Sequence, residues 1–232
     1  MEIPKTIHQI WLGPNKCPDI WMNSWKNDYI KRYPEWTYKL WTEKEINELD
    51  LINKKQYDNE KFYNGKSDIA RYEILYRFGG IFMDADSLWI HYSLNDILEK
   101  AKISGMFAAE EPVNKWSIAN GVIGFTKEHP ILKSMINYIS NNYFNLKKKL
   151  KKEREIWQVT GTKPFTEIVK KYDNKLILES YYFYPESFHQ NNLNLNSKDF
   201  PKLYPNSIMF QYGYTTNNIS KNNIMKKYID TN

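Results

Sequence analysis

The segment that most restricts this chain is Ser67 to Asp86, SDIARYEILYRFGGIFMDAD. Apolar or aromatic residues at 69, 72, 75, 76 and 78 recur at helical spacing and predict a helix with a broad buried face. Ser67 is the expected N-cap, and Asp68 in the first turn suits the positive end of the helix dipole. Gly79 and Gly80 stop the helix, and Ile81-Phe82-Met83 follow as a short, wholly apolar strand. A helix leading into such a strand is a unit of an α/β fold, where ligands sit beyond the carboxyl ends of the strands. Asp84 and Asp86 stand at that end.

The flanking sequence extends the alternation. Lys5 to Gly13 reads as a first strand, Ile20 to Tyr33 as a helix closed by Pro34, and Trp36 to Thr42 as a second strand. Thr42 and Glu45 have the spacing of a capping box. Further on, GMFAAEEP and NGVIGFT read as strands, HPILKSMINYISNNY as a helix, TGTKPFTEIVKKY as a loop feeding a helix, and KLILESYYFYP as a strand. The tail from Asn191 reads as loops. The expected architecture is α/β with a mainly parallel central sheet flanked by helices. At 232 residues, with no linker-like stretch and no repeat, one domain is expected over residues 1–232.

Two residues apart on an extended chain, the Asp84 and Asp86 side chains point the same way, so both carboxylates can face one site. Such neighbours repel unless a cation or donor relieves them. A hard divalent ion bridging to phosphate oxygens does so. A bare D-x-D is common, and a loop-capping aspartate beside a solvated one is its bland reading. Two enzyme classes place D-x-D after a buried strand. A haloacid-dehalogenase-like phosphatase would use Asp84 as a nucleophile. That class carries the motif near its N-terminus and a later lysine and acidic pair, whereas the adjacent pair here, Glu110-Glu111, precedes a proline. The other class is the nucleotide-sugar glycosyltransferase.

Composition narrows the partners. Net charge is +6, which suits anionic ligands, but much of the excess lies in Leu146 to Arg154, LKKKLKKER, read as an exposed helix with a solvated face. The 18 tyrosines and 8 tryptophans do not interleave with that run, so a nucleic-acid stacking platform is not supported. One cysteine, Cys17, forbids an intrachain disulfide. No signal-length or membrane-length apolar run is present, and the expectation is a soluble, intracellular protein. His8 reads as a core histidine; His91, His129 and His189 lack zinc-ligand spacing.

IPKTIHQIWLG, SDIARYEILYRFGGIFMDAD, NGVIGFTKEHP and TGTKPFTE, in that order, resemble glycosyltransferase family 32, which includes giant-virus members. The resemblance spans roughly residues 3 to 170 and implies a GT-A fold. It implies a donor-binding half at 1–100, and an acceptor half with a C-terminal lid at 101–232. The implied reaction is anomer-retaining, metal-dependent hexose transfer from a UDP-sugar to a glycan or glycoprotein. UDP-glucose or UDP-galactose is the first expectation, and galactosyl-hydroxylysine of a collagen-like protein is one acceptor.

The resemblance assigns roles residue by residue. Ile10 and Trp11 match the uracil cradle. Asp68 and Arg71 match a pair that orients the donor sugar, against the plainer reading of an i,i+3 ion pair. Phe82 matches a position beside the ribose, and Ala85 lies with Asp84 against the nucleotide. Asp86 and Asp84 match ligands of Mn²⁺ or Mg²⁺. Asn120 and Gly121 match the segment lining the sugar and acceptor. Thr160, Gly161 and Pro164 match a T-G-P-like motif in which Thr162-Lys163 is inserted. In the divergent C-terminal segment, Gln211 stands roughly where relatives often place a histidine ligand, with Asn217 or Asn218 as substitutes, and Lys221 would meet the phosphates. Glu110 or Glu111 would assist the acceptor. A homodimer and an inactive lectin-like module complete the expectations.

Overall fold

The computed structural model describes residues 2–187 and 196–213. In chain order the elements begin with β1 (Thr6–Ile10), then α1 (Asp19–Asn23), which passes through a π-helical stretch (Ser24–Tyr29) into α2 (Ile30–Arg32). β2 (Thr37–Trp41), α3 (Glu43–Asn47), α4 (Lys54–Asn59) and α5 (Tyr63–Phe78) follow. Next come β3 (Gly80–Met83), β4 (Ser87–Trp89), α6 (Asn95–Lys100), β5 (Met106–Glu110) and β6 (Ile118–Phe125). The rest comprises α7 (Pro130–Lys147), α8 (Thr162–Val169), β7 (Leu176–Leu178), α9 (Phe200–Leu203) and β8 (Met209–Gln211).

Six strands form the central sheet in the order β2-β1-β3-β6-β5-β7, and β4 pairs with β8 in a separate ribbon. β2, β1 and β3 are parallel, as are β5 and β7; β6 runs against both of its neighbours. Five of the six strands therefore point one way, and the mainly parallel expectation holds. Side chains alternate between faces. Phe82, Ile123 and Met106 pack with Ile69, Tyr72, Ile136 and Phe165 of the helices on one side. Ile81, Met83, Val122 and Phe107 pack with Trp25, Tyr29, Trp36 and Phe183 on the other.

Local signals explain most element ends. The capping box at Thr42 forms, with Glu45 accepting from the Thr42 backbone N–H at 2.9 Å. Gly79, at φ 65°, ends α5 in a conformation that costs other residues strain. Several details differ from the sequence reading, and KLILESYYFYP is strand only at Leu176–Leu178 before a 3₁₀ turn at Ser180–Tyr182. α5 begins at Tyr63, so Ser67 lies inside it and its hydroxyl accepts from Arg71 instead of capping. Phe78 is exposed and Ile74 takes the buried position, because the helix meets the sheet along a slightly rotated face. α7 ends at Lys147, and the basic run beyond it is turn and 3₁₀ structure. The tail contains α9 and β8, held by Phe200, Phe210 and Tyr212 against Trp21 and Leu88.

Candidate active site

β1, β3 and β5 all end at one edge of the sheet, and reversed β6 begins there. A cleft of about 810 Å³ opens at that edge, lined by Ile10, Trp11, Asp68, Arg71, Asp84, Ala85, Asp86, Asn120, Gly121 and Gln211. Most of the residues singled out from sequence thus meet in one cavity, Glu111 and Gly161 among them. Phe82 does not line it: the side chain is fully buried on the helical face of the sheet, with the Arg71 guanidinium 4.2 Å above its ring. It supports Arg71 from beneath, and in this arrangement Arg71 stands between it and the cleft. Lys221, Asn217, Asn218 and His189 lie outside the described residues.

Asp84 and Asp86 sit in the turn between β3 and β4 and not on the strand itself. The turn is held from below. The Gln9 amide donates to the Asp84 carbonyl and the Ser87 hydroxyl, each at 3.3 Å. Trp25 donates to Ser87 Oγ at 3.1 Å, Ser87 Oγ donates to the Asp84 carbonyl at 2.7 Å, and Tyr38 donates to Gln9 Oε1 at 2.8 Å. Fully packed partners of this kind fix a carboxylate's position without touching it.

Arg71 joins the two acidic parts of the site. Its guanidinium contacts Asp84 Oδ1 at 3.2 Å and Asp68 Oδ1 at 3.4 Å, and donates to the Asn120 carbonyl at 2.6 Å. The i,i+3 ion pair is therefore present, and it is also a strut to the D-x-D turn. Asn120 donates to Asp68 Oδ1 at 2.8 Å and accepts from Thr162 at 3.2 Å; Thr160 donates to Asp68 Oδ2 at 3.0 Å. The T-G-P-like loop thus holds Asp68 in spite of its insertion. Gly161 permits this, since a Cβ there would meet Asp68 Oδ2 at 2.9 Å.

Asn120 and Gly121 reach the cleft because β6 bulges. Ala108 pairs with Ile123 but Ala109 pairs with Ala119, so residues 120–122 have no partners on β5. They lean instead on the end of β3, where the Asp84 N–H donates to the Gly121 carbonyl at 2.8 Å. A Cβ on Gly121 would lie 2.6 Å from Asp84 Oδ2 and 3.1 Å from the Tyr184 hydroxyl.

Burial pushes the carboxyls of Asp68 and Asp84 above the usual range, with Arg71 opposing it in both. Burial would lower Arg71, but Asp84 and Asp68 outweigh it and raise it. His8 is a satisfied core histidine, as expected. One ring nitrogen bonds to the Gly79 carbonyl and the other accepts from Trp41, and burial pushes its pKa down to about 4.

The Gln211 amide nitrogen donates to Asp84 Oδ2 at 2.8 Å and reaches Asp86 Oδ1 at 3.5 Å. It bridges the two carboxylates and eases their repulsion. Two carboxylates and, with the amide turned over, the Gln211 carbonyl oxygen form an all-oxygen donor set that fits Mg²⁺ or Mn²⁺. No cluster of three or more His, Cys, Asp or Glu side chains fit to hold a metal occurs among the described residues. The fit to an ion thus rests on two carboxylates plus Gln211.

Residues 18–104 match the family described as "Glycosyltransferase sugar-binding region containing DXD motif". This segment of the chain is similar to that family's sugar-binding region. Its match contains Asp68, Arg71, Asp84 and Asp86. The chain is 31% identical over 147 residues to inositol phosphoceramide mannosyltransferase 3 of Schizosaccharomyces pombe, covering 62% of this chain and 39% of that protein. It is 27% identical over 195 residues to glycosyltransferase L373 of Acanthamoeba polyphaga mimivirus, covering 79% and 73%. The chain spans about two-fifths of the length of the yeast relatives it matches. Among solved structures, the PaToxG glycosyltransferase superposes with a TM-score of 0.53 at 18% identity, covering 73% of this chain and 70% of that one. The fold is therefore the GT-A arrangement. That fold and the Arg71 pairing of Asp84 leave no place for the phosphatase reading. Among the described residues no helix is long and apolar enough to cross a membrane.

Sequence reasoning did not find Gln9, Thr160's bond to Asp68, or Tyr184. Gln9 was legible as a polar residue inside an apolar strand, IHQI. Tyr184 carried no local signal, because its chain neighbours are equally aromatic.

Proposed function

We propose that the protein is a metal-dependent, retaining glycosyltransferase that moves a hexose from a nucleotide sugar to a glycan or glycoprotein hydroxyl. The observation that carries this reading is the Arg71–Asp84–Gln211–Asp86 chain of contacts at the strand ends, inside a cleft large enough for the donor. Ile10 and Trp11 at the end of β1 would hold the base, with the Trp11 ring fixed by its N–H bond to the Asn15 carbonyl at 2.6 Å. Asp68 would accept hydrogen bonds from donor-sugar hydroxyls, and Arg71 would reach sugar or phosphate oxygens. Residues 1–100 supply most of the donor side, and residues 101–232 the acceptor side.

Asp84, Asp86 and Gln211 would hold Mn²⁺ or Mg²⁺. Such an ion supplies charge stabilisation for the departing diphosphate. The chain's own residues do the positioning: Arg71 and Gln211 fix Asp84, and Asn120, Thr160 and Arg71 fix Asp68. With retention, a phosphate oxygen of the donor takes the acceptor proton, and no side-chain base is required.

The donor is proposed as a UDP-hexose, with glucose or galactose first. A mannosyl donor is the second reading, favoured by the names of the yeast relatives. The acceptor is proposed as a glycan or glycoprotein, galactosyl-hydroxylysine included. The test is release of nucleoside diphosphate from UDP-glucose, UDP-galactose and GDP-mannose with Mn²⁺. Release from one donor, lost with chelator and in Asp86→Ala, supports the reading. Absence of binding and release with every donor overturns it.

A further inference from the structure

Tyr184 follows the 3₁₀ turn at Ser180–Tyr182 and is 3% exposed, yet it lines the cleft. Its hydroxyl has no hydrogen-bond partner among the described residues. The Val122 backbone N–H is near enough to act on the phenol oxygen electrostatically but does not complete a bond. A buried hydroxyl with no partner is costly, and native proteins rarely keep one without a use. Burial, with Asp84 nearby, pushes the phenol well above its usual pKa. A phenol is protonated at neutral pH in any case, so at the wall of the cleft it is a hydrogen-bond donor without an acceptor.

The surroundings say what it would meet. Both the Tyr184 hydroxyl and Asp84 Oδ2 close on Gly121, at 3.1 and 2.6 Å from the point where a Cβ would stand. A ligand atom beside them faces a hydrogen-bond donor on one side and a carboxylate acceptor on the other. A phosphate oxygen suits the phenol but is repelled by the carboxylate, and a cation held by the carboxylate would leave the O–H proton without an acceptor. A hydroxyl accepts from one and donates to the other.

Resting on the glycosyltransferase reading above, we infer that Tyr184 is a sugar-binding residue whose hydroxyl grips a hydroxyl of the hexose being transferred, which Asp84 holds from the other side. Gly121 is bare so that phenol and carboxylate can approach together. Removing the phenol oxygen should weaken binding of the sugar and leave binding of the nucleotide alone.

The experiment is calorimetric titration, with Mn²⁺, of the native protein and Tyr184→Phe. The ligands are UDP, GDP, UDP-glucose, UDP-galactose and GDP-mannose. The expected result is roughly tenfold weaker binding of the preferred nucleotide sugar by Tyr184→Phe, the loss of one hydrogen bond to a neutral partner. The matching diphosphate should bind as in the native protein. The variant should melt no lower than native, since it deletes an unsatisfied group. Equal affinity of both proteins for the nucleotide sugar overturns the assignment, as does equal weakening of diphosphate and nucleotide sugar, which would make Tyr184 a support for Asp84. A lowered melting temperature would likewise show that the hydroxyl is bonded within the fold. If the native protein binds none of the five ligands, the functional reading fails first, and the native titrations alone reveal that.

Discussion

Replacing Gly121 by alanine tests how tightly the D-x-D turn is tied to the bulge of β6. Gly121 does not have a positive φ, so alanine adds no backbone strain there. The effect is steric. The new methyl group would stand 2.6 Å from Asp84 Oδ2, well inside van der Waals contact, and 3.1 Å from the Tyr184 hydroxyl. The carboxylate cannot swing away freely, because Arg71 holds Oδ1 at 3.2 Å and Gln211 holds Oδ2 at 2.8 Å. Overpacking of this kind costs about 1–3 kcal/mol. In a chain this long that lowers the melting temperature by roughly 2–10 °C.

Activity should fall further than stability. A displacement of roughly 1 Å at a reacting group costs on the order of 100-fold in rate, and Asp84 would have to move by a large part of that distance. The assay is Mn²⁺-dependent hydrolysis of the preferred nucleotide sugar, with kcat/KM measured well below the melting point, beside thermal melts of both proteins. A variant with a lowered melting temperature but native kcat/KM would show that Gly121 matters for packing alone. One that is native in both measurements would refute the close approach of Asp84 to β6.

Three further outcomes follow from the same contacts. Gln211→Glu places a third carboxylate against Asp84 and Asp86, so the ion-free protein should melt lower than native, and Mn²⁺ should raise its melting temperature more than it raises the native one. Arg71→Leu leaves the buried Asp68 and the partly exposed Asp84 without their counter-charge, a loss of about 3 kcal/mol measurable by urea unfolding. His8, held at about 4 in the fold against 6.5 unfolded, takes up its proton first in the unfolded chain. Its contribution is complete above pH 6.5 and lost as pH falls towards 4, worth roughly 3 kcal/mol over that window. His8→Gln should flatten that part of the curve of melting temperature against pH.

What could be read from the sequence was what local chemistry determines. The apolar run after Gly79-Gly80, the capping box at Thr42 and the proline start of α7 each appear where their residues predict. Asp68, Arg71, Asp84 and Asp86 were identifiable because their spacing carries meaning along one helix and one strand. Features made by distant segments were not. NGVIGFT is as apolar as a parallel strand, so nothing in it reveals that β6 runs backwards or bulges at Asn120. Ser67 is a good capping residue by type, yet α5 starts a turn earlier, where Tyr63 and Asn64 line the cleft. Phe82 was placed by motif position, whereas the strand's alternation turns it to the helical face beneath Arg71.

The charge balance at the cleft centre explains why so many hydrogen bonds converge there. When ionised, Asp68 and Asp84 set two negative charges against the one positive charge of Arg71. Arg71 sits close to both of them, and burial raises both Asp68 and Asp84. Neutral donors carry the rest: Asn120 and Thr160 on Asp68, and Gln211 on Asp84 and Asp86. Neutral dipoles can hold such a cluster in shape but do not cancel its charge. A diphosphate brought here alone would add negative charge to a negative site. Asp84, Asp86 and Gln211 are side chains with oxygens to offer a cation in the cleft. The neutral bridge from Gln211 keeps the pair together without cancelling its charge, and on the proposed reading a divalent ion arriving with the diphosphate would supply the opposite charge.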